Sequence, residues 1–73
     1  MPLAQIKGIS GYLTKEQKQT LIERVTEAIL SVEGEGLRAV TWVIVEDVPD
    51  GQWGVGGRPA TADMLRGMAA ATK

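Results

Sequence analysis

An amphipathic helix in the first half of the chain is the feature that most limits the possible folds. Thr14 followed three residues later by Gln17 matches the capping-box pattern that begins a helix. Behind it, apolar residues recur at helical spacing and form one stripe: Leu21, Ile22, Val25, Ala28, Ile29 and Val32. Gly34 and Gly36 then end the helix. The sequence therefore predicts one long helix whose apolar face must pack against another element.

A strand-like segment lies on each side of this helix. Residues 3–9 alternate in part between apolar and polar side chains, which predicts a strand. Residues 39–45 are apolar and rich in β-branched side chains, which predicts a second strand buried on both faces. Strand, helix and strand in this order predict a right-handed crossover between two parallel strands. One helix covers only one face of such a sheet, so a second subunit is expected on the other face.

The last third of the chain predicts smaller elements. The run Pro49-Asp50-Gly51 is typical of a turn, and the glycine-rich residues 52–57 suit a small hairpin. Residues 61–71 predict a short terminal helix that is interrupted or weakened at Gly67. The whole is predicted to be a single α+β domain over residues 1–73: a β-α-β unit with a C-terminal hairpin and helix.

Composition restricts how the chain is stabilised and what it binds. Its 73 residues include no cysteine and no histidine, which excludes disulfides and thiolate zinc sites and removes the commonest metal ligand. We therefore predict no metal, and oligomerisation as the stabilising device of so short a chain. Eight basic and nine acidic residues are spread along the chain, which argues against nucleic acid as a partner. No apolar run could span a bilayer and no secretory signal is visible, so we predict no membrane partner and a cytoplasmic location.

Proline at the second position raises a chemical question. Proline has no N–H to give a sheet, and strands tolerate it at their first residue, so Pro2 could simply begin the first strand. If Met1 is removed after synthesis, however, Pro2 carries a free secondary amine that can act as a base or a nucleophile. With Met1 attached, the Pro2 nitrogen is a tertiary amide and has no basic lone pair.

Three stretches carry a resemblance to a known family. They are PLAQIKGISG at the start, EQKQTLIERVTEAI in the helix, and VIVEDVPDGQWGVGG around the turn and hairpin. In this order and spacing, residues 2–57 resemble the 4-oxalocrotonate tautomerase family. The resemblance implies β-α-β subunits that assemble as a hexamer, a trimer of dimers. It also implies that Pro2 is the catalytic base, which moves a proton on an enol or unsaturated 2-oxo acid without any cofactor, in the degradation of aromatic compounds.

The chain departs from this family where substrate carboxylates would be held. Members of the family have one arginine at the position of Tyr12-Leu13 and another at the position of Thr41. This chain therefore has hydroxyl groups where positive charges are expected. The aromatic wall of the site is retained as Trp53. Arg38 and Arg58, ahead of Arg24 on the helix, are the candidates to replace the missing charges.

The same departure leaves other functions open. The chain could be a non-catalytic or half-catalytic subunit of a mixed hexamer whose partner carries the arginines, or its substrate could lack a second carboxylate. A related hydratase or dehalogenase would need a carboxylate to activate water, and the matching position here is Val55, although Glu46 and Asp47 lie near it in sequence. The expected partners are a small oxo acid or enol and other subunits of the same fold.

Overall fold

A computed structural model describes residues 1–71, so the last two residues of the predicted domain lie outside the described part. The elements follow one another in the order strand, helix, 3₁₀ helix, strand, hairpin and helix. They are β1 (Leu3–Ile9), α1 (Lys15–Glu33), the 3₁₀ helix (Glu35–Val40), β2 (Trp42–Val48), β3 (Gly54–Val55), β4 (Arg58–Pro59) and α2 (Ala62–Ala71). This arrangement confirms the predicted α+β fold with its β-α-β unit, hairpin and terminal helix.

The two long strands form a parallel sheet, as predicted. β1 pairs with β2 in a register that runs from Leu3 opposite Trp42 to Ile9 opposite Val48. Helix α1 connects them across one face, where Lys18 Nζ lies 2.6 Å from Asp47 Oδ2. Successive side chains of a strand point to opposite faces, so Leu3 and Trp42 lie on the face away from α1. The helix therefore covers half of the sheet and leaves the other half open.

Helix α1 begins and ends at the residues that the sequence indicates. Thr14 N–H donates to Gln17 Oε1 at 2.9 Å and Gln17 N–H donates to Thr14 Oγ1 at 3.1 Å, which completes the capping box. At the other end Gly34 has a φ of 114°, and its N–H donates to the Leu30 carbonyl at 2.9 Å. That backbone conformation favours glycine, which explains why the helix ends there.

The prediction for the second strand was wrong at its start and in its burial. Residues 39 and 40 belong to the 3₁₀ helix, and β2 begins only at Trp42 and continues to Val48. Arg38 holds the 3₁₀ segment in place, because its guanidinium pairs with Glu27 of α1 and with Glu35. Nor is β2 buried on both faces, since Trp42 is 54% exposed and Ile44 is 36% exposed.

The C-terminal elements close the far end of the sheet. Gln52 N–H donates to the Pro49 carbonyl at 3.2 Å, which confirms the predicted turn, and β3 pairs antiparallel with β4 as a small hairpin. Helix α2 runs through Gly67 without a break, so the predicted interruption was wrong. A small apolar cluster of Ile9, Ala60 and Ala62 joins β1, the hairpin and α2. In the described chain, neither helix has the length and apolar character needed to cross a membrane.

Candidate active site

Pro2 lies at the end of the sheet where both parallel strands begin. The backbone hydrogen bonds between the strands set its position. Trp42 N–H donates to the Pro2 carbonyl at 3.0 Å. Trp42 is the first residue of β2 and pairs with Leu3, the residue that follows Pro2. Pro2 is half-buried, whereas Met1 is 77% exposed. Removal of Met1 would therefore leave a secondary amine at a fixed point at this end of the sheet.

Thr41 precedes Trp42 and so lies beside Pro2 at the same end of the sheet. Its Oγ1 donates to the Leu37 carbonyl at 2.9 Å, and the side chain is half-buried. The hydroxyl proton is committed to the backbone of the 3₁₀ helix, which leaves the oxygen as an acceptor. Thr41 as it stands cannot supply the positive charge of an arginine at this place.

Tyr12 and Trp53 come together, but at the opposite end of the sheet. Both half-buried side chains pack against the cluster of Ile9, Ala60 and Ala62. At a rise of about 3.3 Å per residue, the seven residues of β1 separate this end from Pro2 by roughly 20 Å. A site that contains both Pro2 and Trp53 therefore needs side chains from more than one subunit.

Arg38, one of the two candidates for the missing charge, is held by two carboxylates. Its Nη1 lies 2.7 Å from Glu27 Oε2, and its Nη2 lies 2.9 Å from Glu35 Oε1. The hydrogen bonds from Arg38 lower the pKa of Glu27 and of Glu35, while those carboxylates raise the pKa of the guanidinium. Arg38 belongs to the 3₁₀ helix that precedes the second strand. These contacts use four of the five N–H donors of the guanidinium, so a substrate carboxylate could not bind through both oxygens without displacing a glutamate.

Arg58 and the residues considered for water activation lie elsewhere on the surface. Arg58 is exposed on β4, opposite Val55 in the hairpin. Asp47 is bound to Lys18 and lies on the helix side of the sheet. The structure thus brings neither Arg58 nor Asp47 to Pro2 within one subunit. Among residues 1–71, no cluster of three or more acidic side chains is arranged to hold a metal ion.

Arg66 is the charged residue that sequence reasoning missed. It lines a cavity of about 350 Å³ between the end of β1 and the start of α2, together with Ser10, Gly11, Asp50 and Asp63. Its Nη1 lies 2.7 Å from Asp63 Oδ1, and its Nη2 donates to the Gly11 carbonyl. The spacing of Asp63 and Arg66 behind the helix-capping Thr61 is a visible signal, but the contact with Gly11 spans 55 residues of sequence. A guanidinium thus lies beside the loop that carries Tyr12.

Comparison with known proteins places these features in a family. The family model described as "Tautomerase enzyme" matches residues 2–63. A 2-hydroxymuconate tautomerase of Pseudomonas sp. (strain CF600) is 41% identical over 61 residues, which cover 84% of this chain and 94% of that protein. A solved 4-oxalocrotonate tautomerase isozyme from Methylibium petroleiphilum superposes with a TM-score of 0.69 at 40% identity, covering 88% of this chain and 97% of that one. A fused 4-OT described as an asymmetric trimer gives a TM-score of 0.66 at 31% identity, covering 84% of this chain and 46% of that one.

Proposed function

The chain belongs to the tautomerase family and is an isomerase of that family, and from this premise we propose that Pro2, freed by removal of Met1, is its general base. The observation that carries the proposal is the position of Pro2. Its carbonyl is anchored by Trp42 N–H at 3.0 Å, and the residue is half-buried, so the nitrogen occupies a defined place at the end of the sheet.

The proposed reaction moves one proton within an enol or unsaturated 2-oxo acid. The Pro2 amine accepts the proton from the enol oxygen, and the resulting ammonium returns it to a carbon of the same conjugated system. In general, an amine in apolar surroundings is harder to protonate, and a base whose pKa lies near the working pH transfers protons most efficiently. Since the proton only changes place, the reaction requires no redox partner and no cofactor. A 2-hydroxymuconate-like dienol, an intermediate class in the breakdown of aromatic compounds, is the substrate that the relatives suggest.

The active form is proposed to be a hexamer built as a trimer of dimers. Leu3 and Trp42 are each 54% exposed in the isolated subunit, on the sheet face that α1 does not cover. Large exposed apolar side chains grouped on one sheet face are typical of an interface between subunits. Assembly would also bring Tyr12 and Trp53 of one subunit within reach of Pro2 of another. The cytoplasmic location stays a prediction of the sequence.

A second candidate function is supported by the charges around the site. Thr41 is neutral and Arg38 is held by Glu27 and Glu35. A mixed hexamer, in which a homologous subunit supplies the arginines, would complete such a site. In that case the purified chain alone would be slow, and mixing with the second subunit would restore the rate.

The test begins with the intact mass of purified protein, which we expect to be lower by one methionine. The chain is then assayed for ketonisation of 2-hydroxymuconate beside Pro2→Ala. A matched control keeps Pro2 but carries an uncleavable extension before it, so that the nitrogen is an amide in an otherwise unchanged chain. Loss of general-base catalysis should slow both variants by about 10²- to 10⁴-fold. Equal rates for all three proteins would refute Pro2 as the base.

A further inference from the structure

We propose that Arg66 binds a carboxylate of the substrate in a site that it shares with Pro2 of a neighbouring subunit. The inference rests on the proposed proton transfer at Pro2 and adds the residue that recognises the acid. It assigns this role to α2, most of which lies beyond residue 63, where the match to the family model ends.

The guanidinium of Arg66 retains N–H donors for a further ligand. Its contacts with Asp63 and with the Gly11 carbonyl use two of the five N–H donors that arginine offers, so further donors are available to an acid. Arginine is suited to carboxylates because its planar fork can bind both oxygens at once. The cavity of about 350 Å³ provides space for a small organic acid beside it.

A carboxylate of the same chain already occupies this guanidinium. Asp63 Oδ1 lies 2.7 Å from Arg66 Nη1, yet the Asp63 side chain is 92% exposed. A pair so open to water contributes little stability, and an incoming acid can replace it. Arg38 differs, because two glutamates hold it at once. Asp63 is therefore interpreted as a competitor that the substrate displaces.

Pro2 can reach this cavity only from a second subunit. In one subunit the length of β1 separates Pro2 from Gly11 by more than 20 Å, by the rise of about 3.3 Å per residue. Within residues 1–71 the sheet has the order β1-β2, so β1 has one edge without a paired strand. Two copies that join through this edge about a twofold axis must run antiparallel. When this axis passes Ile6, the middle residue of β1, Pro2 of the partner subunit lies beside Ser10 and Gly11, next to Arg66.

The effect on the kinetics follows from the chemistry. The substrate carboxylate keeps its charge throughout the proton transfer, so Arg66 binds the ground state and the transition state about equally. Uniform binding of this kind changes KM and leaves kcat nearly constant. Removal of Asp63 should improve binding, because a competing carboxylate is lost.

The experiment compares Arg66→Gln, Arg66→Lys and Asp63→Asn with wild type, and Lys15→Gln serves as a control for the loss of one exposed positive charge. Turnover of 2-hydroxymuconate gives kcat and KM, and calorimetric titration with trans,trans-muconate, a dicarboxylate without an enol, gives a Kd. We expect Arg66→Gln to raise both KM and Kd about tenfold or more, with kcat changed less than threefold. Arg66→Lys should recover part of the affinity, Asp63→Asn should lower both constants, and Lys15→Gln should match wild type.

Each contrary result is specific. If Arg66→Gln and Arg66→Lys both bind muconate as wild type does, the carboxylate role is refuted. If both lose thermal stability equally and KM does not change, Arg66 merely fastens α2 to Gly11, and the proposal is overturned. If Pro2→Ala turns over substrate normally while Arg66→Gln still weakens muconate binding, the proposed base is wrong and the carboxylate site stands.

Discussion

Trp42 offers a direct test of the open sheet face as the assembly surface. It is 54% exposed in the subunit and lies opposite Leu3, which is exposed to the same extent. An aromatic side chain buries about 150–250 Å² when fully covered, so roughly 100 Å² of Trp42 is left for a partner. At about 25 cal/mol per Å², that area contributes about 2.5 kcal/mol for each subunit. If the Trp42 side chains of two subunits are buried in the same contact, the sum is about 5 kcal/mol, or about 10³- to 10⁴-fold in Kd.

The assay is sedimentation equilibrium of wild type and Trp42→Asp over a range of protein concentrations, with activity measured on the same samples. We expect the variant to dissociate at concentrations where wild type stays assembled, and to lose activity in parallel because the site is shared between subunits. Val32→Asp is the matched control, since Val32 is 86% exposed but lies at the end of α1. Circular dichroism checks that the helices persist. An unchanged mass and rate for Trp42→Asp would refute the interface.

Two further predictions concern local interactions. Thr14→Ala should lower the free energy of unfolding by about 1 kcal/mol, because the helix loses its cap, whereas Thr20→Ala within α1 should be neutral or slightly stabilising, because alanine has the higher helix propensity. Urea denaturation measures both, and equal losses would contradict the role of the cap. Arg38 holds the pKa of Glu27 and Glu35 below 4.5, so the pairs stabilise the fold above that pH and the contribution is lost as the pH falls through the lowered values. Urea titrations between pH 3 and 6 should show this acid loss in wild type and not in Arg38→Gln, and parallel profiles would contradict it.

Local signals in the sequence were sufficient for the main elements of the fold. The Thr14 and Gln17 pattern and the glycine at position 34 predicted both ends of α1, and alternation predicted β1 at its observed bounds. The segment after the helix was different. Its apolar side chains favour a strand, but in the structure these residues form a 3₁₀ helix in which Arg38 pairs with Glu27, 11 positions away in sequence. Local propensity contains no information about such a contact.

In the candidate site, too, some features could be predicted from the sequence and others depend on contacts between distant residues. Pro2 was predicted from its position and from the resemblance, and Trp53 and Tyr12 were named as candidate substrate contacts. Their distance from Pro2 could not be predicted, because it depends on the length and direction of β1. Arg66 was missed because its neighbour Gly11 is 55 residues away in sequence and meets it only when α2 folds back on the sheet.

The hydrogen bond from Trp42 N–H to the Pro2 carbonyl has a consequence for the entropy of catalysis. A glutamate or lysine that serves as a base loses about 1.5–2 kcal/mol of rotamer freedom when its position is fixed, whereas proline has almost none to lose. The pyrrolidine ring also prevents rotation about the N–Cα bond. With the carbonyl anchored at 3.0 Å, the direction of the nitrogen lone pair follows from the backbone alone. Such a base is preorganised by the same ladder that forms the sheet, so even a chain of 73 residues can hold it in place without a supporting shell of side chains.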